Sequence, residues 1–112
     1  MIKFPKLSIA AVNGITVGGG VNLAFVWQDL CYVADGVTFR YPFSELGLTP
    51  ELGSSWLLPR IVGLTRAKEL LQLGTEFTAK RACELGLCTE VVPAGEVLDR
   101  ALAAARSLAS RP

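Results

Sequence analysis

Two stretches of this chain have residue types and spacing that could do chemistry. The first is Gly18-Gly19-Gly20, which follows the apolar run Ile9-Ala10-Ala11-Val12 and the turn signal Asn13-Gly14. After the triplet, Val21 to Trp27 is compatible with a helix. Glycines at a helix start leave bare backbone N–H groups, which suit an anion or a developing oxyanion with the helix dipole behind them. Glycines also let a helix and a strand pack closely, and the pattern alone leaves both readings open. Two phosphate motifs fail. The fingerprint G-x-G-x-x-G, counted from Gly18 through Gly20, ends on Leu23. A P-loop starting at Gly14 reaches Gly19 but then has Gly20 and Val21 where Lys and Ser/Thr are needed. N–H groups without a lysine fit a thioester or carbonyl oxygen better than a triphosphate.

The second stretch is Thr49-Pro50-Glu51. Thr is a good N-cap, Pro is favoured at the first helical position, and an acid is favoured next. The spacing predicts a short helix through Trp56-Leu57-Leu58 with Glu51 in its first turn. Leu48, Leu52, Trp56 and Leu57 surround Glu51 with apolar neighbours. From these residues alone, complementing the helix dipole is the first explanation of Glu51 and a carboxylate base is the second.

Other chemistry is restricted. The chain has no histidine, which excludes Ser-His-Asp and Cys-His catalysis within it, and no metal site is expected. Cys31, Cys83 and Cys88 form an odd, irregular set. They read as buried reduced thiols, and a cytoplasmic location is the expectation.

The elements around these stretches have an α/β rhythm. Ile9-Ala10-Ala11-Val12 reads as a short buried strand. Leu30-Cys31-Tyr32-Val33-Ala34 and Val37-Thr38-Phe39 read as strands split by Asp35-Gly36, and Tyr41 to Leu48 as an irregular loop. An amphipathic helix is expected from Thr65 to Leu73, with Gly74 just past its end. Thr78 caps a helix from Ala79 to Leu85 that Gly86 stops. Glu90 to Pro93 is extended, and a last helix runs from Glu96 to Ser110.

A single domain, residues 1–112, fits this length. Hydrophobic residues make up 51% and charged residues only 19%. That balance predicts more apolar surface than so short a chain can hide, hence a homo-oligomer or a piece of a larger fold. A net charge of +1 makes no case for nucleic acid or an anionic membrane. Residues 7–28 carry no charge, but Asn13-Gly14 and the glycine triplet break the helix that a signal peptide or membrane span needs.

Taken together, the motifs resemble the crotonase (enoyl-CoA hydratase/isomerase) superfamily. Ala10-Ala11-Val12-Asn13-Gly14 followed by Val17-Gly18-Gly19-Gly20 is similar to its oxyanion-loop signature. Leu70-Leu71-Gln72-Leu73-Gly74 with Thr78 and Ala82, and Gly86-Leu87 followed by Val91-Val92-Pro93, are similar to its later landmarks. The resemblance covers essentially the whole chain. It implies a crotonase-like (ClpP/crotonase) α/β fold of ββα units, incomplete here at the N-terminus and at the C-terminus. It also implies trimers or hexamers, an acyl-CoA thioester as substrate, and no cofactor beyond the coenzyme A of that substrate.

Within that resemblance, Gly19 N–H matches one oxyanion donor, and the other belongs to a segment upstream of this chain. The two hydratase glutamates would fall at Asn22 and Phe43, so water addition by the usual pair is not expected. Pro42 to Glu51, followed by Ser54-Ser55, instead resembles the 3,2-enoyl-CoA isomerase branch, whose single base matches Glu51. Val17, Gly18, Pro42, Phe43, Leu46 and Trp56 are the expected substrate-binding residues. The implied activity is double-bond migration in acyl-CoA metabolism. The competing reading is a non-catalytic member that binds acyl-CoA or acts in oligomer assembly. Between Asn22 and Asp29 the chain runs one residue longer than the family pattern, and bulky Trp27-Gln28 stand where small residues are common.

Overall fold

The structure is a computed structural model and describes residues 3–111. Chain order gives β1 (Ile9–Val12), β2 (Thr16–Val17) and α1 (Gly19–Val21), which continues as a π-helical turn over Asn22–Val26. Then follow β3 (Leu30–Ala34), β4 (Thr38–Arg40), α2 (Ser54–Val62) and α3 (Leu64–Lys68), which continues as a second π turn over Glu69–Leu73. β5 (Phe77–Thr78), α4 (Ala79–Glu84), β6 (Glu90–Val92) and α5 (Val97–Ala109) complete the chain.

Two small sheets organise these elements. The first has strand order β1-β3-β6, all parallel, with Ile9 beside Leu30 and Tyr32 beside Glu90. β3 is its centre, and the unbroken apolar run Leu30-Cys31-Tyr32-Val33-Ala34 suits a strand buried on both faces. α5 packs on β1 and β3. The second sheet has order β2-β4-β5, with β2-β4 parallel and β4-β5 antiparallel. Each of the first two strand pairs is followed by helix, which is the expected ββα rhythm.

The core runs through a chain of rings. Phe25 meets Phe39 at 4.6 Å, Phe39 stacks on Phe77 at 5.5 Å, and Tyr41 stacks on Phe77 at 6.4 Å and on Phe43 at 5.9 Å. These contacts tie the glycine-led helical segment to the second sheet and to the loop after it. Ser8 and Asp29 fasten the entrances of β1 and β3. Ser8 donates its N–H and hydroxyl to Asp29 Oδ2 at 2.7 and 2.9 Å, and these bonds hold the Asp29 carboxyl below its usual range.

The expected strand at Val37-Thr38-Phe39 lies one residue later, at Thr38–Arg40, and the two-residue strands β2 and β5 add to those expected. The expected helix from Val21 to Trp27 begins earlier and is mostly a π turn. In this π turn the N–H bonds five residues back in place of four, as Trp27 N–H does to Asn22 O at 3.0 Å. The helix expected from Thr65 to Leu73 is likewise α followed by π, and Gly74 ends it at φ 62°.

Candidate active site

β2 leads into the glycine triplet. Gly18 has φ 58° and ψ −123°, a conformation reserved for glycine, and its N–H donates to Arg40 O at 2.8 Å. Gly19 opens α1, and among the described residues no backbone carbonyl accepts its N–H. α1 has only three residues, Gly19 included, before the π turn, so the donor is this individual N–H group more than a helix dipole. A Cβ on Gly20 would stand 3.3 Å from Thr16 Cγ2, so this glycine does serve close packing.

Gly19 faces the second stretch. A Cβ placed on Gly19 would lie 3.1 Å from Glu51 Oε1 and 3.1 Å from Leu52 Cδ1. The chain therefore folds so that the carboxylate and the glycine meet, although 32 positions separate them in the sequence, counted from 19 to 51. A Cβ on Gly18 would touch Pro42 Cδ at 3.9 Å, which brings the loop after β4 to the same place.

The expectation that Glu51 sits in the first turn of a helix is corrected. α2 starts at Ser54, and residues 49–51 are irregular. Leu52 has φ 50° and Gly53 φ 73°, so the chain turns sharply before entering the helix. Thr49 caps nothing, because the left-handed Gly53 holds the N-cap position. The helix also runs through Pro59 to Val62, past its expected limit at Leu58.

What holds Glu51 is a set of bonds to its backbone. Its carbonyl accepts from Ser54 N–H at 3.0 Å, from Ser54 Oγ at 2.8 Å, and from Asn22 Nδ2 at 3.0 Å. Trp27 Nε1–H donates to Leu52 O at 2.7 Å. Asn22 and Ser54 are fully buried, while the Glu51 side chain is exposed and free to meet a ligand. Sequence reasoning noted Asn22 only as a missing acid and Trp27 only as a bulky departure. A polar atom on a residue beside the glycine triplet is the only signal: Asn22 is buried, where a side-chain amide seeks a partner, and Trp27 is half-buried.

The other expected binding residues divide. Val17 is exposed at the end of β2 beside the triplet, and Pro42 touches Gly18. Phe43 is buried and stacks on Tyr41, so its ring belongs to the core and not to an open wall. Leu46 is exposed on the loop. Trp56 is exposed on α2, where the Arg60 guanidinium covers its ring at 3.6 Å. The geometry brings together Gly18 with Pro42, and Gly19 with Glu51 and Leu52.

Elsewhere the chemistry is quiet. The largest groove, about 1010 Å³, is lined by Asp35, Lys80, Cys83, Val92 and neighbours, and includes neither Gly19 nor Glu51. It is wide open, and the convergence of a carboxylate with the Gly19 N–H outweighs its size. Burial pushes the Cys31 thiol up to about 12; burial and the nearby Cys83 do the same for Cys88. Both thiols are thus poor nucleophiles at neutral pH. Among the described residues, no group of three or more His, Cys, Asp or Glu side chains is placed to hold a metal. No described helix is long and apolar enough to cross a membrane.

Known proteins are similar to this chain in sequence and in fold. The chain is 41% identical over all 112 of its residues to 1,2-epoxyphenylacetyl-CoA isomerase of Escherichia coli (strain K12), covering 42% of that protein. It is 47% identical over 92 residues to enoyl-CoA delta isomerase 2 of Homo sapiens, covering 82% of this chain and 23% of the relative. The crystal structure of enoyl-CoA hydratase from Bacillus anthracis superposes with a TM-score of 0.92 at 35% identity, over 97% of this chain and 42% of that one. The chain thus spans less than half the length of these relatives, and its fold is a partial crotonase-like α/β fold. The family model for enoyl-CoA hydratase/isomerase matches residues 1–112, and the chain belongs to that family.

Proposed function

We propose that this chain carries the base and one oxyanion donor of an enoyl-CoA isomerase that moves the double bond of a 3-enoyl-CoA to the 2-position. The observation that carries the proposal is the Glu51 carboxylate, 3.1 Å from where a side chain on Gly19 would begin. In this scheme Glu51 takes a proton from the carbon next to the thioester. The electron pair spreads through the thioester carbonyl, and Gly19 N–H stabilises the resulting oxyanion. Glu51 then returns the proton to the γ carbon. The double bond moves by one position, and the carboxylate is regenerated with no net change of charge. One base serves both steps because the two carbons flank the same allylic system.

Membership of the family supports acyl-CoA metabolism. Isomerisation over hydration is supported by Asn22 and Phe43, which supply no second acid. Coenzyme A enters only as part of the substrate. A second oxyanion donor would come from outside residues 3–111, and a cytoplasmic location remains part of the proposal.

The purified chain is incubated with a 3-enoyl-CoA and, separately, with a 2-enoyl-CoA, and products are resolved by chromatography. A conjugated 2-enoyl-CoA from the first substrate supports the proposal. A 3-hydroxyacyl-CoA as the main product of the second overturns it. A second reading, assembly without catalysis, is favoured by the open outer edges of β1 and β2 and by exposed Ile15 and Leu23 beside them. Tight binding of acyl-CoA or self-association with no turnover would select it.

A further inference from the structure

We infer that Asn22 and Trp27 are positioning residues for the Glu51 carboxylate, coupling the base to the same helical segment that presents Gly19 N–H. The inference rests on the reading of Glu51 as the base. Four observations carry it. Asn22 is fully buried, and its Nδ2 donates to Glu51 O at 3.0 Å. Trp27 Nε1–H donates to Leu52 O at 2.7 Å, one peptide further on. Leu52 lies at φ 50°, a left-handed conformation that a branched side chain avoids unless its surroundings fix it. Glu51 Oε1 and Leu52 Cδ1 each lie 3.1 Å from where a Cβ on Gly19 would stand, a tight approach.

The geometry is that of a clamp. Asn22 and Trp27 sit at either end of the π turn Asn22–Val26, Asn22 as its first residue and Trp27 as its C-cap. Each reaches one carbonyl of the strained turn, so the turn is pinned at two successive peptides from one rigid element. The amide at position 22 does what an acid there would not. A carboxylate has no proton to give Glu51 O at neutral pH, and it would set a second negative charge near the base. Among the described residues Asn22 Oδ1 has no partner, and the bond its nitrogen makes to Glu51 O is the one that holds the amide.

The test uses the whole ¹⁵N-labelled chain and does not need turnover. Removing the Glu51 charge by Glu51→Gln should move the Gly19 amide resonance, because the carboxylate stands against it. The same substitution is then made in Trp27→Phe, which keeps the ring and loses only the donor, and in Asn22→Asp, which keeps the size. In both backgrounds the Gly19 movement should fall at least about threefold, while Val33 and Phe39 amides in the core hold their positions. Full-sized movement of Gly19 in Trp27→Phe and Asn22→Asp overturns the inference. So does the absence of any Gly19 movement in the unsubstituted background. Should Asn22→Asp fail to fold, Trp27→Phe decides alone. Where turnover is measurable, both variants lower kcat and leave KM within about twofold, since a misplacement of about 1 Å costs on the order of 10²-fold. An intact shift cycle in a chain without turnover would reject the proposed reaction and keep the positioning.

Discussion

At the scale of single residues, the role proposed for Glu51 makes a definite prediction. As a general base it contributes about 10²–10⁴-fold to rate, or roughly 3–5 kcal/mol of barrier. Its backbone is fixed by Ser54 and Asn22 and its side chain is exposed, so Glu51→Gln should leave the fold alone. The expected outcome is a rate loss of that size at unchanged Tm. Glu45→Gln is the control. Glu45 lies on the neighbouring loop, paired with Arg40, in an exposed bridge worth at most about 1 kcal/mol. Loss of turnover in Glu45→Gln but not in Glu51→Gln would assign the base elsewhere. The buried thiols make a separate prediction. Cys31 and Cys88 are held up to about 12, whereas in the unfolded chain they ionise at about 8.5. The unfolded state therefore gains charge first as pH rises. Stability from these thiols is full below about pH 8.5 and falls progressively from there towards pH 12. Denaturant midpoints measured across that window should drop, and Cys31→Ala with Cys88→Ala should flatten the drop.

At the scale of elements, local signals were reliable where the helix they announced was held locally. Thr78 accepts from Arg81 N–H at 3.2 Å and caps α4 where the sequence places the cap. Thr78→Ala should cost about 1 kcal/mol, read as a lowered denaturant midpoint, with Gly19 and Glu51 untouched. Thr49-Pro50-Glu51 carries an equally good cap signal and starts no helix. There the chain answers to Asn22 and Trp27, which lie 29 and 25 positions away from their acceptors. A hydrogen bond across that separation leaves no local pattern, so the sharp turn at Leu52 was not legible, nor was the true start at Ser54. The meeting of Gly19 with Glu51 was legible only through the family resemblance, since periodicity alone left Glu51 as a charge at a helix end. Phe43 shows the reverse case. A motif position suggested a wall of the site, but an aromatic residue two places from Tyr41, which itself stacks on Phe77, is drawn into the ring chain of the core. The two-residue strands β2 and β5 are too short for alternation to announce them, and pairing with β4 creates them.

At the scale of the molecule, the apolar composition has a visible consequence. The accessible surface is 6740 Å², against roughly 6,000 Å² for a folded monomer of this mass. The radius of gyration is 14.0 Å, where about 13 Å is usual for this length. The excess is not spread evenly. β1 and β2 are outer strands of their sheets, and the concave surface between them is lined by Ala10, Val12, Ile15, Thr16 and Leu23. Ile15 is 81% exposed and Leu23 45% exposed there. An open strand edge beside exposed apolar side chains is a pairing surface, and a lone chain would leave it wet. The chain should therefore associate when purified alone, giving a light-scattering mass above 12.0 kDa that rises with concentration. Family-like trimers or hexamers are the proposed form. Fully burying one such side chain is worth about 1.5–3 kcal/mol, so its loss should weaken association about tenfold or more. Ile15→Lys puts a charge on this edge without entering the core, and it should shift the mass towards 12.0 kDa while the amide spectrum of β3 stays unchanged. A monodisperse, cooperatively unfolding monomer before any substitution would show that the edge tolerates water. An Ile15→Lys chain that still associates fully would move the contact away from β1 and β2, to the exposed Leu48, Leu52 and Trp56 around α2.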